Sequence, residues 1–407
     1  MRTVLRSVTV FDGTGSDPFS ADVGIEDGVI TDVGPDLTAA DGDTVLDLAG
    51  HTVLPGLIDC HVHAVASGKD PLALMQEPFS YQFYAAQQNL QRTLDVGVTT
   101  VRDAGGADLG MKQATAEGLI DGPDIVPAIA ILGQTGGHTD GWTVHGDVHR
   151  MMVPHPGRPA GVVDGPDQMR VRVRELIRAG AEVIKVCTSG GVLSPRDDPR
   201  HPQFTLEELQ VCVAEAAAVG IPVMAHAQGK PGIMNALRAG VASIEHGIFA
   251  DEECFELMGQ TGAFLVPTLL APVALIQAID AGSRVPAAVE AKARAVVDTH
   301  REMTAAAVRA GVRIAMGTDS GVFAHGRNIE ELRLMVGVGM SPVQALVAAT
   351  SSAAELLRLP DRGVVASGRR ADLVVVDGDL FDLDTFTDRL THVFKAGKLV
   401  RRHGEAA

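Results

Sequence analysis

Tryptophan and tyrosine are nearly missing from this 407-residue chain, which has one Trp and two Tyr beside twelve Phe. That scarcity argues against an aromatic platform on which bases or other flat rings stack. Positive charge is also short. Lys and Arg number 34 against 51 Asp and Glu, a net charge of −17, which disfavours nucleic acid or an anionic membrane as a partner because both need a positive surface. Cysteine is limited to Cys60, Cys187, Cys212 and Cys254, widely spaced and without a Cys-x-x-Cys pair. Scattered thiols suit a reducing compartment better than a disulfide framework. The first ten residues lack the unbroken apolar run of a signal peptide. The most apolar internal stretch, 266–279, is too short to span a bilayer and contains Pro267 and Pro272. A soluble, cytoplasmic protein is expected.

What is present is a large apolar complement, 46% of residues, enough for more than one core. The length predicts two or three domains, or one α/β barrel of about 250 residues with a smaller unit attached. Residues 3–54 read as short strands and tight turns. Val8-Thr9-Val10-Phe11 precedes Asp12-Gly13, and Val23-Gly24-Ile25 precedes Glu26-Asp27-Gly28. Asp-Gly between apolar runs signals a hairpin. Near the other end, Gly363-Val364-Val365, the run 371–378 and the run 392–398 share this composition. The two ends are expected to pair into a small composite β-sandwich, 1–54 plus 362–407, packed as an accessory beside a domain spanning 55–361.

Within 55–361 a unit recurs. Six times a helical stretch ends in glycine, at Gly97, Gly180, Gly220, Gly240, Gly262 and Gly311, and an apolar run follows at once. Glycine supplies the left-handed conformation that ends a helix. Thr205-x-x-Glu208 forms a capping box opening one such helix, and Ser341-Pro342 opens another. Repeated helix–glycine–strand units imply parallel strands joined by helical crossovers. Asp103, His226, His246 and Thr268 each fall six positions after their glycine, Lys185 five and Asp319 eight. Polar side chains therefore recur at the carboxyl ends of successive strands, the face on which a (β/α)₈ TIM barrel builds its active site. With 57–63 as first strand and 125–131 as third, eight strands can be counted.

The first of these strands, Leu57-Ile58-Asp59-Cys60-His61-Val62-His63, ends in two histidines one residue apart. The period of a strand turns both imidazoles to one face, half of a site for a zinc-like ion. Alone, a His-x-His is weak evidence; its weight comes from His226, His246, Lys185 and Asp319 at equivalent positions.

Taken with Pro-Gly-Leu-Ile-Asp-Cys-His-Val-His at 55–63, Val-Ile-Lys-Val at 183–186, Ala-His-Ala at 225–227, Ser-Ile-Glu-His-Gly at 243–247 and Gly-Thr-Asp-Ser-Gly at 317–321, the chain resembles the amidohydrolase superfamily. Its closest likeness there is to the branch of imidazolonepropionase and the Xaa-Pro and Xaa-Arg dipeptidases. The resemblance implies two divalent metal ions, zinc foremost. His61, His63 and Asp319 would hold one, His226 and His246 the second, and an N-carboxylated Lys185 would bridge them. An ammonium beside two dications would be disfavoured, whereas a carbamate carries negative charge and two oxygen ligands. Asp319 would act as general base and then acid, and His138, in Gly136-Gly137-His138-Thr139-Asp140, would face the developing oxyanion.

The implied reaction is hydrolysis of a C–N amide bond in a dipeptide or N-acyl amino acid. Such a small-molecule substrate carries a free carboxylate, and no nucleic acid or membrane takes part. Further copies of the chain are the expected protein partner, as a homo-oligomer. Lys230, Arg196, His325 and Arg327 lie just past strand ends and could receive that carboxylate. Gln228 stands where the family's dipeptidases often carry tyrosine. Two alternatives remain: a mononuclear cyclic-amide hydrolase like imidazolonepropionase, which lacks the bridging lysine, and a non-catalytic assembly protein on the same fold.

Overall fold

The computed structural model describes residues 2–68, 76–143, 145–146 and 153–402. The chain opens with β1 (Thr3–Val10), β2 (Phe19–Glu26), β3 (Val29–Gly34), β4 (Thr44–Asp47) and β5 (His51–Pro55). It continues through β6 (Leu57–Val62), β7 (Val98–Asp103), β8 (Asp124–Pro127), β9 (Ile131–Leu132), β10 (Ile184–Cys187), β11 (Val223–Ala227), β12 (Ser243–His246) and β13 (Phe264–Val266), and closes with β14 (Leu373–Asp377), β15 (Leu390–Lys395) and β16 (Lys398–Arg402).

β6 to β13 form a parallel α/β barrel. β6 pairs with β7 and β7 with β8, while β9 to β13 pair in sequence. The third barrel strand is broken rather than continuous over 125–131: Ile129 has φ +68°. β8 therefore pairs back with β7, and β9 forward with β10. The run 313–320 closes the ring, with Ala315 N–H donating to Leu265 O (3.1 Å), Cys60 N–H to Met316 O (2.9 Å) and His63 N–H to Ser320 O (2.7 Å). All six glycines that end the preceding helices have positive φ, between 71° and 95°, as the sequence pattern requires. Both capping boxes form, Thr205 with Glu208 and Ser341 with Gln344.

The strands of the chain ends make one path, β16-β15-β14-β5-β1-β2-β3, with β4 also on β1. β5 pairs antiparallel with β14, joining the two ends. The Asp27-Gly28 turn is a two-residue hairpin, Glu26 facing Val29, with both turn residues at positive φ, 49° and 82°. Asp12-Gly13 lies in the loop of a wider hairpin, since β1 pairs antiparallel with β2 and Val10 faces Phe19. Gly13 is tucked under the carbonyl of Gly363, where a Cβ would lie 2.5 Å from the oxygen, so the chain runs on to Phe19 before pairing. The path rolls over its own core of Leu5, Val8, Val23, Ile30, Leu373 and Phe394. Gly397 ends beside Ile25 and Gly28. Among the described residues no helix is long and apolar enough to cross a membrane.

Candidate metal centre at the barrel mouth

His61, His63 and Asp319 converge. One ligand atom from each lies within 4.8 Å of the others, with His63 Nε2 3.3 Å and His61 Nε2 3.5 Å from Asp319 Oδ1. All three are buried. The backbone is forced to bring Asp319 here: it has φ +62°, a conformation L-residues rarely take. Gly317, two residues earlier, has no room for a side chain, since a Cβ would meet Val266 Cγ1 at 2.4 Å and His61 Cβ at 2.9 Å. Asp59 ties the two arms together. Its Oδ1 accepts from the backbone N–H of His61 (3.0 Å) and Thr318 (3.1 Å), and its Oδ2 from Thr318 Oγ1 (2.7 Å) and Asn328 Nδ2 (2.8 Å). Burial pushes the Asp59 carboxyl up to about 6 against these bonds.

Four imidazoles are each held by one nitrogen. His61 donates Nδ1–H to Glu245 Oε2 (2.7 Å) and His63 donates Nδ1–H to Gly105 O (2.8 Å). His226 donates Nε2–H to Gly190 O (3.1 Å). His246 meets Thr268 Oγ1 at 2.7 Å through Nδ1, and that hydroxyl donates to Pro267 O, so the ring is the donor. In His61, His226 and His246 the other nitrogen is thereby left to carry a lone pair, which is how outer partners prepare a histidine to bind metal. His63 turns its Nε2 to Asp319; burial would lower its pKa, but that contact outweighs burial and raises it. The rings are contiguous, with His61–His246 centroids 5.2 Å apart and His226–His246 4.7 Å. Burial, then the charge of neighbouring groups, holds His61, His226 and His246 well below the usual imidazole range, so these rings stay neutral. Burial would also raise Asp319, but His61, His63 and Lys185 outweigh it and keep the carboxylate ionised.

Lys185, 2% exposed, points Nζ at His61 Nε2, 3.3 Å away. Among the described residues no carboxylate lies within 4.0 Å of it. Burial lowers its pKa. A buried lysine with no ion-pair partner is costly as an ammonium and well suited to react as a neutral amine. The donor set thus fits a cationic occupant: three neutral imidazoles, a fourth paired with an ionised carboxylate, and a lysine whose charge burial disfavours.

His138 belongs to the same cluster. Its ring stacks on His226 at 4.3 Å and 14°, and its Nδ1 is 2.8 Å from Ser194 Oγ and 3.5 Å from Asp197 Oδ2. The proposed carboxylate receptors have other partners. Lys230 is paired with Asp251 (2.6 Å) and Glu253 (2.8 Å). Arg327 grips Glu330 with two nitrogens. Arg196 donates to Trp142 O and lies over its ring. His325 is buried, burial lowers it to about 4, and it bonds the carbonyl of Ala66 (3.0 Å), so it offers no positive charge. Gln228 is buried, and its Oε1 has no hydrogen-bond partner among the described residues.

Sequence reasoning missed the layer behind the ligands: Arg102 under Glu245, Asn328 under Asp59, and Glu331 accepting from the N–H of Leu269 (2.8 Å) and Leu270 (2.7 Å). Polar residues inside apolar strands were the available signal for Arg102 and Asp59. Nothing marked Asn328, which precedes helix Ile329–Gly337, or Glu331 within it.

The model of the amidohydrolase family matches residues 52–400, and the chain belongs to that family. It is 35% identical to ochratoxinase of Aspergillus niger over 99% of this chain and 87% of that protein. A solved Xaa-Pro dipeptidase with methionine bound in its active site superposes with a TM-score of 0.89 at 34% identity, covering 98% of this chain and all (100%) of that one. A prolidase complexed with N-methylphosphonate-L-proline gives 0.90 at 35% identity, covering 99% and 100%.

Proposed function

We propose that the chain is a binuclear metal hydrolase that cleaves the C–N bond of a dipeptide or N-acyl amino acid. The observation that carries the reading is Lys185, buried with no carboxylate in ion-pair contact among the described residues and set among four histidines oriented by outer partners. His61, His63 and Asp319 would hold one divalent ion, His226 and His246 the other, with Lys185 carboxylated between them. Zinc suits these nitrogen and oxygen donors. Bound there, such ions would acidify a water and polarise a carbonyl.

The protein's own groups do the rest. Asp319 takes a proton from the attacking water and returns it to the leaving nitrogen, base first and acid second. His138, held on His226 and donating Nδ1–H to Ser194 beside Asp197, would face the carbonyl oxygen with Nε2–H as charge develops there, a role that requires both ring nitrogens to carry protons. Gln228 Oε1, an acceptor without a partner, is available to a substrate N–H. A free carboxylate on the substrate accords with the two solved relatives, one holding methionine and the other N-methylphosphonate-L-proline.

The test is a panel of Xaa-Pro and other dipeptides, N-acyl amino acids, lactams and esters, offered to metal-replete protein. Turnover of the first two groups supports the proposal. Turnover confined to lactams, or to none of the panel, contradicts it.

A further inference from the structure

The loop that leaves β10 is held in place by one side chain from a distant helix. Lys292, on helix Ala287–Arg309, donates from Nζ to the carbonyl oxygens of Gly191 (2.6 Å), Ser194 and Asp197 (2.9 Å), and lies 3.5 Å from Asp197 Oδ1. An ammonium has three N–H groups and no acceptor. Three donors meet three main-chain carbonyls, and the Asp197 carboxylate supplies the countercharge. The side chain is only 19% exposed. This lysine has exchanged most of its hydration for one loop's backbone.

That loop is what positions two rings of the site. Gly190 O receives the Nε2–H of His226 (3.1 Å). Ser194 Oγ and Asp197 Oδ2 engage His138 Nδ1 at 2.8 and 3.5 Å. Ser194 in turn donates to Asp197, and Asp197 Oδ2 accepts from Gly191 N–H (3.2 Å). Gly191 lies so close that a Cβ on it would sit 2.2 Å from His138 Cε1. His138 is therefore clamped between the loop on one side and His226 on the other. Behind the loop, Val192 packs with Ile248, Leu275, Val289 and Val296, so loop and lysine-bearing helix form one unit. The apolar contacts hold the loop down but do not orient its carbonyls; Lys292 gathers those of Gly191, Ser194 and Asp197 onto one ammonium, sharing Gly191 O with Ser194 Oγ.

We propose that Lys292 is a positioning residue. Its ammonium sets the 190–198 loop in the arrangement that seats His138 against His226, without touching substrate itself. This rests on the reading in which His138 faces the reacting carbonyl.

The experiment compares Lys292→Met, His138→Ala and the double variant, as full-length metal-replete protein, by steady-state kinetics and by hydrogen exchange. Lys292→Met is expected to speed exchange across 190–198 at least tenfold while the barrel strands keep their protection. It should lower kcat at least tenfold with KM changed less than threefold and metal content unaltered. In the His138→Ala background the same substitution should change kcat less than twofold, because the effect passes through His138. If Lys292→Met does not fold, Lys292→Gln serves the same comparisons. Aminoethylation of Lys292→Cys restores an ammonium, and all four native cysteines are buried, so the reagent should reach the new thiol. Activity within threefold of the starting protein is expected. Unchanged exchange in the loop overturns the proposal. So does a loss that multiplies undiminished with His138→Ala, or no recovery on aminoethylation. Should the unsubstituted protein cleave nothing in the amide panel, the hydrolase reading fails instead, and loop exchange still decides whether Lys292 holds the loop.

Discussion

Glu245 Oε2 lies 2.7 Å from His61 Nδ1, and the other oxygen of the same carboxylate receives Arg102 Nη2 at 2.9 Å. Arg102 also donates to Cys60 O (2.6 Å) and Ser243 Oγ (3.1 Å), so the orientation of His61 is fixed across three barrel strands. Glu245→Gln keeps the shape but replaces the charge. It should weaken metal binding by about 10- to 100-fold, the usual cost of losing an outer partner of a ligating histidine. Competition with a chelator measures this. Affinity equal to that of the unsubstituted protein would show that Glu245 is only filling space.

Asp319→Asn would remove the proposed proton acceptor while leaving an oxygen in place. Turnover should fall by roughly 10²- to 10⁴-fold, with metal retained through the five other ligands. Loss of metal in step with activity would reduce Asp319 to a ligand alone.

Glu331 predicts a pH dependence. It is fully buried, and burial pushes its carboxyl up to about 8 from an ordinary 4.5. The folded chain holds this proton more tightly than the unfolded one. Its contribution to stability is therefore complete below about pH 4.5 and is lost as pH rises through about 8. Between pH 5 and 8.5, metal-free Glu331→Gln should gain on the unsubstituted protein by on the order of 1–3 kcal/mol. Denaturant unfolding of both across that range checks it. Parallel profiles would mean that Glu331 does not titrate there.

Gly317→Ala tests the packing that places Asp319. The added methyl would meet Val266 and His61 within 3 Å, at 2.4 and 2.9 Å, and should cost about 1–3 kcal/mol as an overpacked core does. Because His61 is one of the two neighbours, metal affinity should fall as well. Unchanged unfolding and affinity would show that the barrel gives way freely at this point.

The barrel and the polar face of its strands were legible because both follow from backbone rules. A helix ending in a left-handed glycine starts the next strand at a fixed distance, so counting from Gly220 and Gly240 reaches His226 and His246, whose rings lie 4.7 Å apart. Partnerships were less legible. Lys230, read as a free cation, is claimed by Asp251 and Glu253, residues distant in sequence and brought close by two successive strand exits. The break at Ile129 and the left-handed backbone at His246, Thr268 and Asp319, φ 68°, 71°, 54° and 62°, were not legible: Ile and Thr are β-branched and disfavour that conformation, and the enrichment of His and Asp there is too weak to mark a single position. Tertiary contacts impose it. Asp12-Gly13 does join an antiparallel pair, β1 with β2, but with Gly13 docked against Gly363 the loop is wider than a two-residue turn.

The most direct measurement is elemental analysis of the reconstituted chain beside its Lys185→Ala variant. About two divalent ions per chain are expected, as in two-metal hydrolytic sites, with at least one lost, together with most activity, when Lys185 is removed. A chain that takes up no ion after metal supplementation, or a Lys185→Ala variant that keeps both ions and full turnover, would contradict the account.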